Sequence, residues 1–305
     1  MGYLIETRNL KKQYGKTIVV NDVSVHVPKG KIYALLGRNG AGKTTLMKML
    51  LRLIRSTSGE IYLFGTRCEK TDCSIYRQIG SIIETPGFYE NLTAFDNLTL
   101  LMRLRGQGKR EDIMKALEMV GLHHEYLKPF SDYSLGMKQR LGIAAALMHE
   151  PKLLILDEPI NGLDPIGISE IRALLTSLCR DKGTTIFVSS HVLSEIEQIA
   201  DVIGVMHKGQ LIEEIKMEAL QNRRHEYIEF EVSDMTKALE ILENSYGITN
   251  CQVQGNTLKV FDTAYNCGMI NKTFVENGLM VTKINQTKEN LEDYFSELIG
   301  GGGIA

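Results

Sequence analysis

No stretch of the 305-residue chain approaches the ~18 to 20 consecutive apolar residues that cross a bilayer as a helix. A membrane role would therefore need another chain to supply the spanning part. The opening MGYLIETRNLKK meets Glu6 and Arg8 before an apolar run of signal-peptide length forms, so no leader is expected. It also lacks a Ser or Thr at position 6 for myristoylation. Charge of one sign is missing too: 35 Lys+Arg stand against 37 Asp+Glu, a net charge of −2. No global basic field favours nucleic acid, and no nucleic-acid partner is expected. Cysteine is sparse. Cys68, Cys73, Cys179, Cys251 and Cys267 are an odd, scattered set without a C-x-x-C pair. That argues against a disulfide framework or zinc site and fits a reducing cytosol. No repeat of 20 to 50 residues is present. What remains is a soluble globular composition, 43% hydrophobic, at a length that suits about two domains.

Residues 1 to about 30 alternate as strands do, in YLIETRNL and IVVNDVSVHVP. KIYALL (31–36) is a short apolar run that stops at Gly37, and from Gly42 the pattern turns helical through Leu46, Met49, Leu50 and Leu53. Two more fully apolar strands are expected at Leu153–Leu156 and Thr185–Ser189. Strands this apolar are buried on both faces, which predicts an α/β fold with a parallel sheet between helices. The stretch from about 92 to 150 reads as helical, from Thr93, through a segment ending at Gly121, to LGMKQRLGIAAALMHEP before Pro151. Lying between two strands of one sheet, it reads as an inserted subdomain. His123 and His124 fall in its helix-end loop as surface residues. After about residue 220 the order changes to βαββαβ, with a turn at Gly255-Asn256 and a final helix KENLEDYFSELI. That order predicts a small ferredoxin-like α+β domain over 221–299, followed by a flexible tail from 300 to 305.

Gly37 to Thr44 matches G-x-x-x-x-G-K-[ST] between a strand and a helix. Glycines allow the tight turn that points successive N–H groups at phosphate oxygens, and the helix start adds its positive end. In such a cradle Lys43 reaches the terminal phosphates and the Thr44 hydroxyl ligates magnesium. LLILDE, ending in Asp157 and Glu158, is the natural partner. Alone, an Asp-Glu pair after an apolar run is equally a strand end. Beside a cradle, Asp157 holds magnesium through water and Glu158 polarises an attacking water as general base.

With these residues the chain resembles the ATP-binding subunit of an ABC transporter over residues 3 to 220. GRNGAGKTT supplies Gly37, Asn39, Gly40, Ala41, Gly42, Lys43, Thr44 and Thr45, and LLILDEP supplies Asp157 and Glu158. Tyr133-Ser134-Leu135-Gly136-Met137-Lys138-Gln139 looks like the family signature LSGGQ. Asn161-Gly162-Leu163-Asp164 matches the D-loop, Ser190-His191 the switch histidine, and Tyr14 the aromatic that stacks on adenine. The resemblance implies a cassette of mostly parallel sheet with an N-terminal antiparallel part, spanning 1–220, and ATP with Mg2+ as ligands. It implies a homodimer in which each ATP lies between the cradle of one copy and Ser134 and Gly136 of the other, with Asp164 nearby. His191 would sense the γ-phosphate. Read alone, His191 is more simply a satisfied histidine at a strand end, and Ser134 is also a helix cap, a role compatible with binding phosphate. Integral-membrane permease subunits would hold the protein peripherally on the cytoplasmic face, so it would not touch the cargo.

Two departures from the family pattern stand out. Where most of the family has Gln, this chain has Glu84, in IGSIIETP. A like charge at ~4 Å and an effective dielectric near 20 is worth on the order of 4 kcal/mol before screening. Near the metal and the attacking water, Glu84 is therefore expected to touch the metal, pick up a proton as part of the catalytic centre, or point toward the membrane partner; its bland reading is an ordinary turn residue. Ser134-Leu135 also replaces the usual Ser-Gly. The glutamate and the surrounding ETPGFYENLTAFDNL resemble the branch of bacitracin-resistance and lantibiotic self-protection transporters, which implies export of an antimicrobial peptide. A soluble ABC ATPase acting on nucleic acid or ribosomes is the competing reading, disfavoured by the single cassette and the lack of a basic tail. A phosphotransferase on the same cradle would not need a signature or D-loop.

Overall fold

The computed structural model describes residues 2–68, 74–84, 87–106, 108–223, 226–262 and 265–288. They form two units, Met1–Ala219 and Leu220–Gly303. Cys73, residues 289–299 of the expected final helix and the 300–305 tail lie outside the described residues, and Lys288, expected to open that helix, is instead the last residue of a strand.

The first unit opens with strands β1 (Tyr3–Tyr14), β2 (Thr17–Val23) and β3 (His26–Pro28), then β4 (Ile32–Leu36) and helix α1 (Lys43–Leu50). β1 runs four residues beyond the expected YLIETRNL because Lys12 to Tyr14 continue to pair with β2. Leu53 was grouped with the helix by spacing; it lies past the end of α1, exposed. Strands β5 (Ser58–Leu63) and β6 (Thr66–Arg67) complete an antiparallel sheet ordered β2-β1-β5-β6, with β3 also on β1. Then come β7 (Ile79–Ile82) and the helical block: α2 (Ala94–Arg105), α3 (Arg110–Met119) and α4 (Leu135–Leu147). Thr93 caps α2 by accepting from the Asp96 N–H, and Gly106 ends it in the left-handed conformation. His123 and His124 lie exposed between α3 and α4. After the block come β8 (Leu153–Leu156), α5 (Pro165–Lys182), β9 (Thr185–Ser190), α6 (Leu193–Glu197), β10 (Val202–His207), β11 (Gln210–Lys216) and α7 (Met217–Arg223).

The central sheet runs β11-β10-β4-β9-β8-β7. Every neighbour pair from β10 to β7 is parallel, and β11 closes one edge antiparallel. β4 and β8 are buried at every position, as their unbroken apolar runs require. The antiparallel sheet, α1 and one face of the central sheet share a core in which Leu10, Val23, Leu46, Met47, Ile155 and Phe187 are fully enclosed. Each such side chain contributes roughly 1.5–3 kcal/mol by leaving water. Parallel order has a functional consequence. The C-terminal ends of β4, β7, β8 and β9 lie along one edge, so Gly37, Glu84, Asp157 and His191 gather there from four distant parts of the chain.

One contact ties the helical block to that sheet. The His149 ring nitrogen Nε2 bonds the Ile79 carbonyl at 3.1 Å, at the start of β7. Burial, reinforced by the Arg105 guanidinium, lowers this imidazole to about 4.

The second unit comprises β12 (Glu226–Val232), α8 (Met235–Tyr246), β13 (Cys251–Gln254), β14 (Thr257–Val260), α9 (Cys267–Glu276) and β15 (Val281–Lys288). Its sheet is β13-β14-β12-β15 with all neighbours antiparallel, the split βαββαβ order. Ile228, Phe230 and Val232 alternate inward against Leu242, Ile270 and Phe274 from the two helices. Last in that order, β15 begins two residues later than LMVTKIN suggests and extends to Lys288 by pairing along the whole of β12.

Candidate nucleotide site

The turn from β4 into α1 is tight at two glycines. A Cβ on Gly37 would collide with the Met206 carbonyl, and one on Gly42, at φ 103°, would lie 2.8 Å from the Val19 carbonyl. Only glycine fits, and the loop keeps its amides facing inward. It encloses a 180 Å³ cavity lined by Asn39, Gly40, Ala41, Lys43, Thr45 and Glu158, together with Val19 from β2. Lys43 is only 5% exposed, and its Nζ donates to the Gly37 carbonyl at 2.5 Å. Glu158 Oε1 stands 3.1 Å from the same nitrogen, within ion-pair range but outside hydrogen-bond alignment. The buried ammonium is thus aimed across the cavity mouth with one carboxylate for company.

A chain of short bonds runs along the strand ends. Thr44 Oγ1 donates to Asp157 Oδ2 at 2.7 Å, and Ser189 Oγ donates to Asp157 Oδ1 at 2.6 Å. The same Ser189 oxygen accepts the Glu158 N–H at 2.9 Å. Glu158 Oε2 lies 2.8 Å from His191 Nδ1. Glu158 itself sits at φ 49°, a left-handed conformation that a non-glycine residue holds at a cost of about 1–3 kcal/mol. That conformation turns its carboxylate back over the cradle toward His191 instead of onward with the chain. Thr44 and Asp157 offer hard oxygens side by side at the mouth of a phosphate-sized cavity, the donor set magnesium takes when phosphates and water complete its shell. Among the described residues no group of three His, Cys, Asp or Glu could hold a metal ion.

The remaining sequence candidates stand elsewhere. Ser134 caps α4, accepting the Met137 N–H at 3.3 Å, and Asp164 caps α5, accepting the Gly167 N–H at 3.1 Å. With Gly136 they line a second depression of 420 Å³ that shares no residue with the cradle. Leu135, the departure from the usual glycine, is 54% exposed on its rim, and Ile166 is 70% exposed. Tyr14 ends β1 half-exposed, with the Lys12 ammonium 4.5 Å from its ring centroid, and is not part of the cavity wall. Glu84 follows β7 by two residues at the strand-end edge and is not part of the cavity wall. Its carboxylate is 65% exposed and pairs with Lys48 Nζ at 2.6 Å.

Sequence reasoning missed Ser189, Lys48 and Val19. Ser189 was read as the last letter of an apolar strand. A hydroxyl pair, Ser189-Ser190, buried immediately before His191 was the available signal. No pattern in the sequence singled out Val19.

Comparison with known proteins agrees with this geometry. A family described as ABC transporter matches residues 20–161. The chain is 63% identical, over 100% of its own length and 99% of the relative's, to the bacitracin transport ATP-binding protein BcrA of Enterococcus faecalis. It is 48% identical to the lantibiotic transport ATP-binding protein SrtF of Streptococcus pyogenes, across 72% of this chain and 93% of that one. A solved ATP-binding subunit of an ABC transporter superposes with a TM-score of 0.64 at 31% identity, covering 72% of this chain and 92% of that chain. With its phosphate cradle, strand-end carboxylates and signature helix, the chain belongs to the ABC transporter family as an ATP-binding subunit.

Proposed function

We propose that this ATPase powers a membrane transporter that expels a bacitracin- or lantibiotic-type peptide, protecting the cell that carries it. The observation that carries this reading is identity along the whole chain to a bacitracin transport ATP-binding protein. Among the described residues no helix is long and apolar enough to cross a membrane. The permease is therefore a separate partner, and the chain works peripherally on the cytoplasmic face. Residues 1–220 carry the nucleotide chemistry and 221–299 form an accessory domain, so deleting 221 onward should leave ATP binding intact.

In the cradle, the amides of Asn39 to Thr45 and the Lys43 ammonium bind the β- and γ-phosphates, and Tyr14 at the end of β1 stacks on the base. Thr44 directly and Asp157 through water would hold magnesium, which would neutralise phosphate oxygens. Ser189 holds the Asp157 carboxylate and the Glu158 backbone N–H at once, so Asp157 stays turned to Thr44 while the backbone that carries Glu158 is fixed beside the γ-phosphate. Glu158 takes the proton of an attacking water as general base, and His191 orients that carboxylate and senses the terminal phosphate. Ser134, the amides near Gly136 and Asp164 act on the nucleotide of a second copy, since they are separated from this chain's own cradle.

Removing the gene from its host should lower the bacitracin or lantibiotic concentration that stops growth. The wild-type gene should restore resistance and Lys43→Ala should not. Unchanged resistance to both peptide classes after removal would overturn the cargo assignment, while phosphate release by the purified chain tests the ATPase separately.

A further inference from the structure

Glu84 adds a third carboxylate to an edge that already carries Asp157 and Glu158 and must receive phosphates. β7 and β8 are parallel with Ile82 level with Leu156, so Glu84 and Glu158 each stand two residues past the same rung. Glu84 adopts φ 63°, which turns its side chain out of the strand direction. There its Oε1 accepts from Lys48 Nζ at 2.6 Å. Lys48 lies on α1 four residues after Thr44, hence on the same helix face one turn along. Thr44 is bonded to Asp157. One turn of α1 thus presents a hydroxyl to one strand-end carboxylate and an ammonium to another.

We propose that Lys48 is the positioning residue of Glu84: its ammonium neutralises the additional carboxylate and holds it along α1, clear of the phosphate cradle. A glutamine at position 84 carries no charge and would need no such partner. The proposal rests on the ATP-binding reading above and goes beyond it by giving Lys48 a task defined by Glu84 alone. Without the ammonium, the carboxylate past the end of β7, one strand over from Asp157, leaves an unneutralised negative charge on the edge that receives the nucleotide.

The test is a double-mutant cycle on the full chain, reading equilibrium affinity for a fluorescent ATP analogue in EDTA at low salt, so that neither metal nor turnover contributes. Lys48→Met should weaken binding by about threefold to fivefold, the size expected for a partly exposed pair, and the effect should fade at high salt. In a Glu84→Gln background the same substitution should change affinity by less than about twofold. Lys48→Arg should behave as wild type, and Lys48→Gln replaces the methionine variant where a thermal melt shows that the latter is unfolded. An equal loss in both backgrounds, or none in either, would overturn the role of Lys48. A wild-type chain that binds no nucleotide would instead overturn the ATP reading beneath it.

Discussion

Within the first unit, two depressions are built in different ways. The cradle is tightly linked: Thr44, Asp157, Ser189, Glu158 and His191 are joined by hydrogen bonds of 2.9 Å or less, and Lys43 stands 3.1 Å from Glu158 Oε1. The signature depression is open. Its polar groups cap their own helices, and Leu135 and Ile166 stand exposed around them. A group preorganised to act needs its geometry fixed before substrate arrives, whereas a surface that acts on another copy's substrate needs to stay available. On the proposed reading, one chain carries its own cradle and half of a clamp for a second copy.

Substitutions sharpen that contrast. Glu158→Gln keeps the size and hydrogen-bonding capacity of the side chain but cannot take a proton, so phosphate release should fall by about 100-fold or more. ATP affinity, measured by equilibrium fluorescence, should stay within about twofold of wild type. Hydrolysis at the wild-type rate would remove Glu158 as base. Lys43→Ala removes the buried ammonium, and ATP affinity of the single chain should fall by about tenfold or more. Unchanged affinity would count against the cradle. Ser189→Ala leaves Asp157 Oδ1 and the Glu158 N–H without their shared hydroxyl, at about 1–3 kcal/mol. Calorimetry should show a lowered melting temperature of this unit, and hydrolysis should drop more than affinity; a change in neither would mean the hydroxyl is incidental.

The smallest effect concerns the joint between the helical block and β7. Folded His149 titrates at about 4 against an ordinary value of 6.5. The unfolded chain therefore takes up the proton first, and stability present above pH 6.5 is lost as the pH falls toward 4. His149→Gln removes that dependence, so wild-type melting temperature should fall more steeply than the variant's across this window. Parallel curves would show that His149 does not contribute.

The cradle was legible because its requirements are local. Two glycines, a lysine and a hydroxyl must follow one strand in fixed order, and no other geometry asks for that spacing. The strand-end carboxylates were legible by the same logic, since Leu153 to Leu156 could be placed beside the cradle from their apolarity alone. What escaped depended on pairings between distant segments. Ser189 looks like strand until β8 and β9 are aligned and its hydroxyl meets Asp157 from the neighbouring rung. Glu84 reads from sequence as a charge without a partner, and the lysine it pairs with lies on α1, 36 residues away, where Lys48 reads as an ordinary solvent-facing lysine. Leu53 kept the helical spacing beyond the residue at which the helix had ended.

The most direct test of the shared site is complementation between two inactive chains. Lys43→Ala disables the cradle, and Gly136→Asp places a carboxylate where the opposing phosphate would lie, with room for the added Cβ. Each variant alone should release almost no phosphate from ATP. Mixed, they form dimers with one intact cradle facing one intact signature, and hydrolysis should return. Failure of the mixture to recover any activity, with both chains folded and dimer-forming, would contradict the account; full activity of Gly136→Asp alone would do so as well.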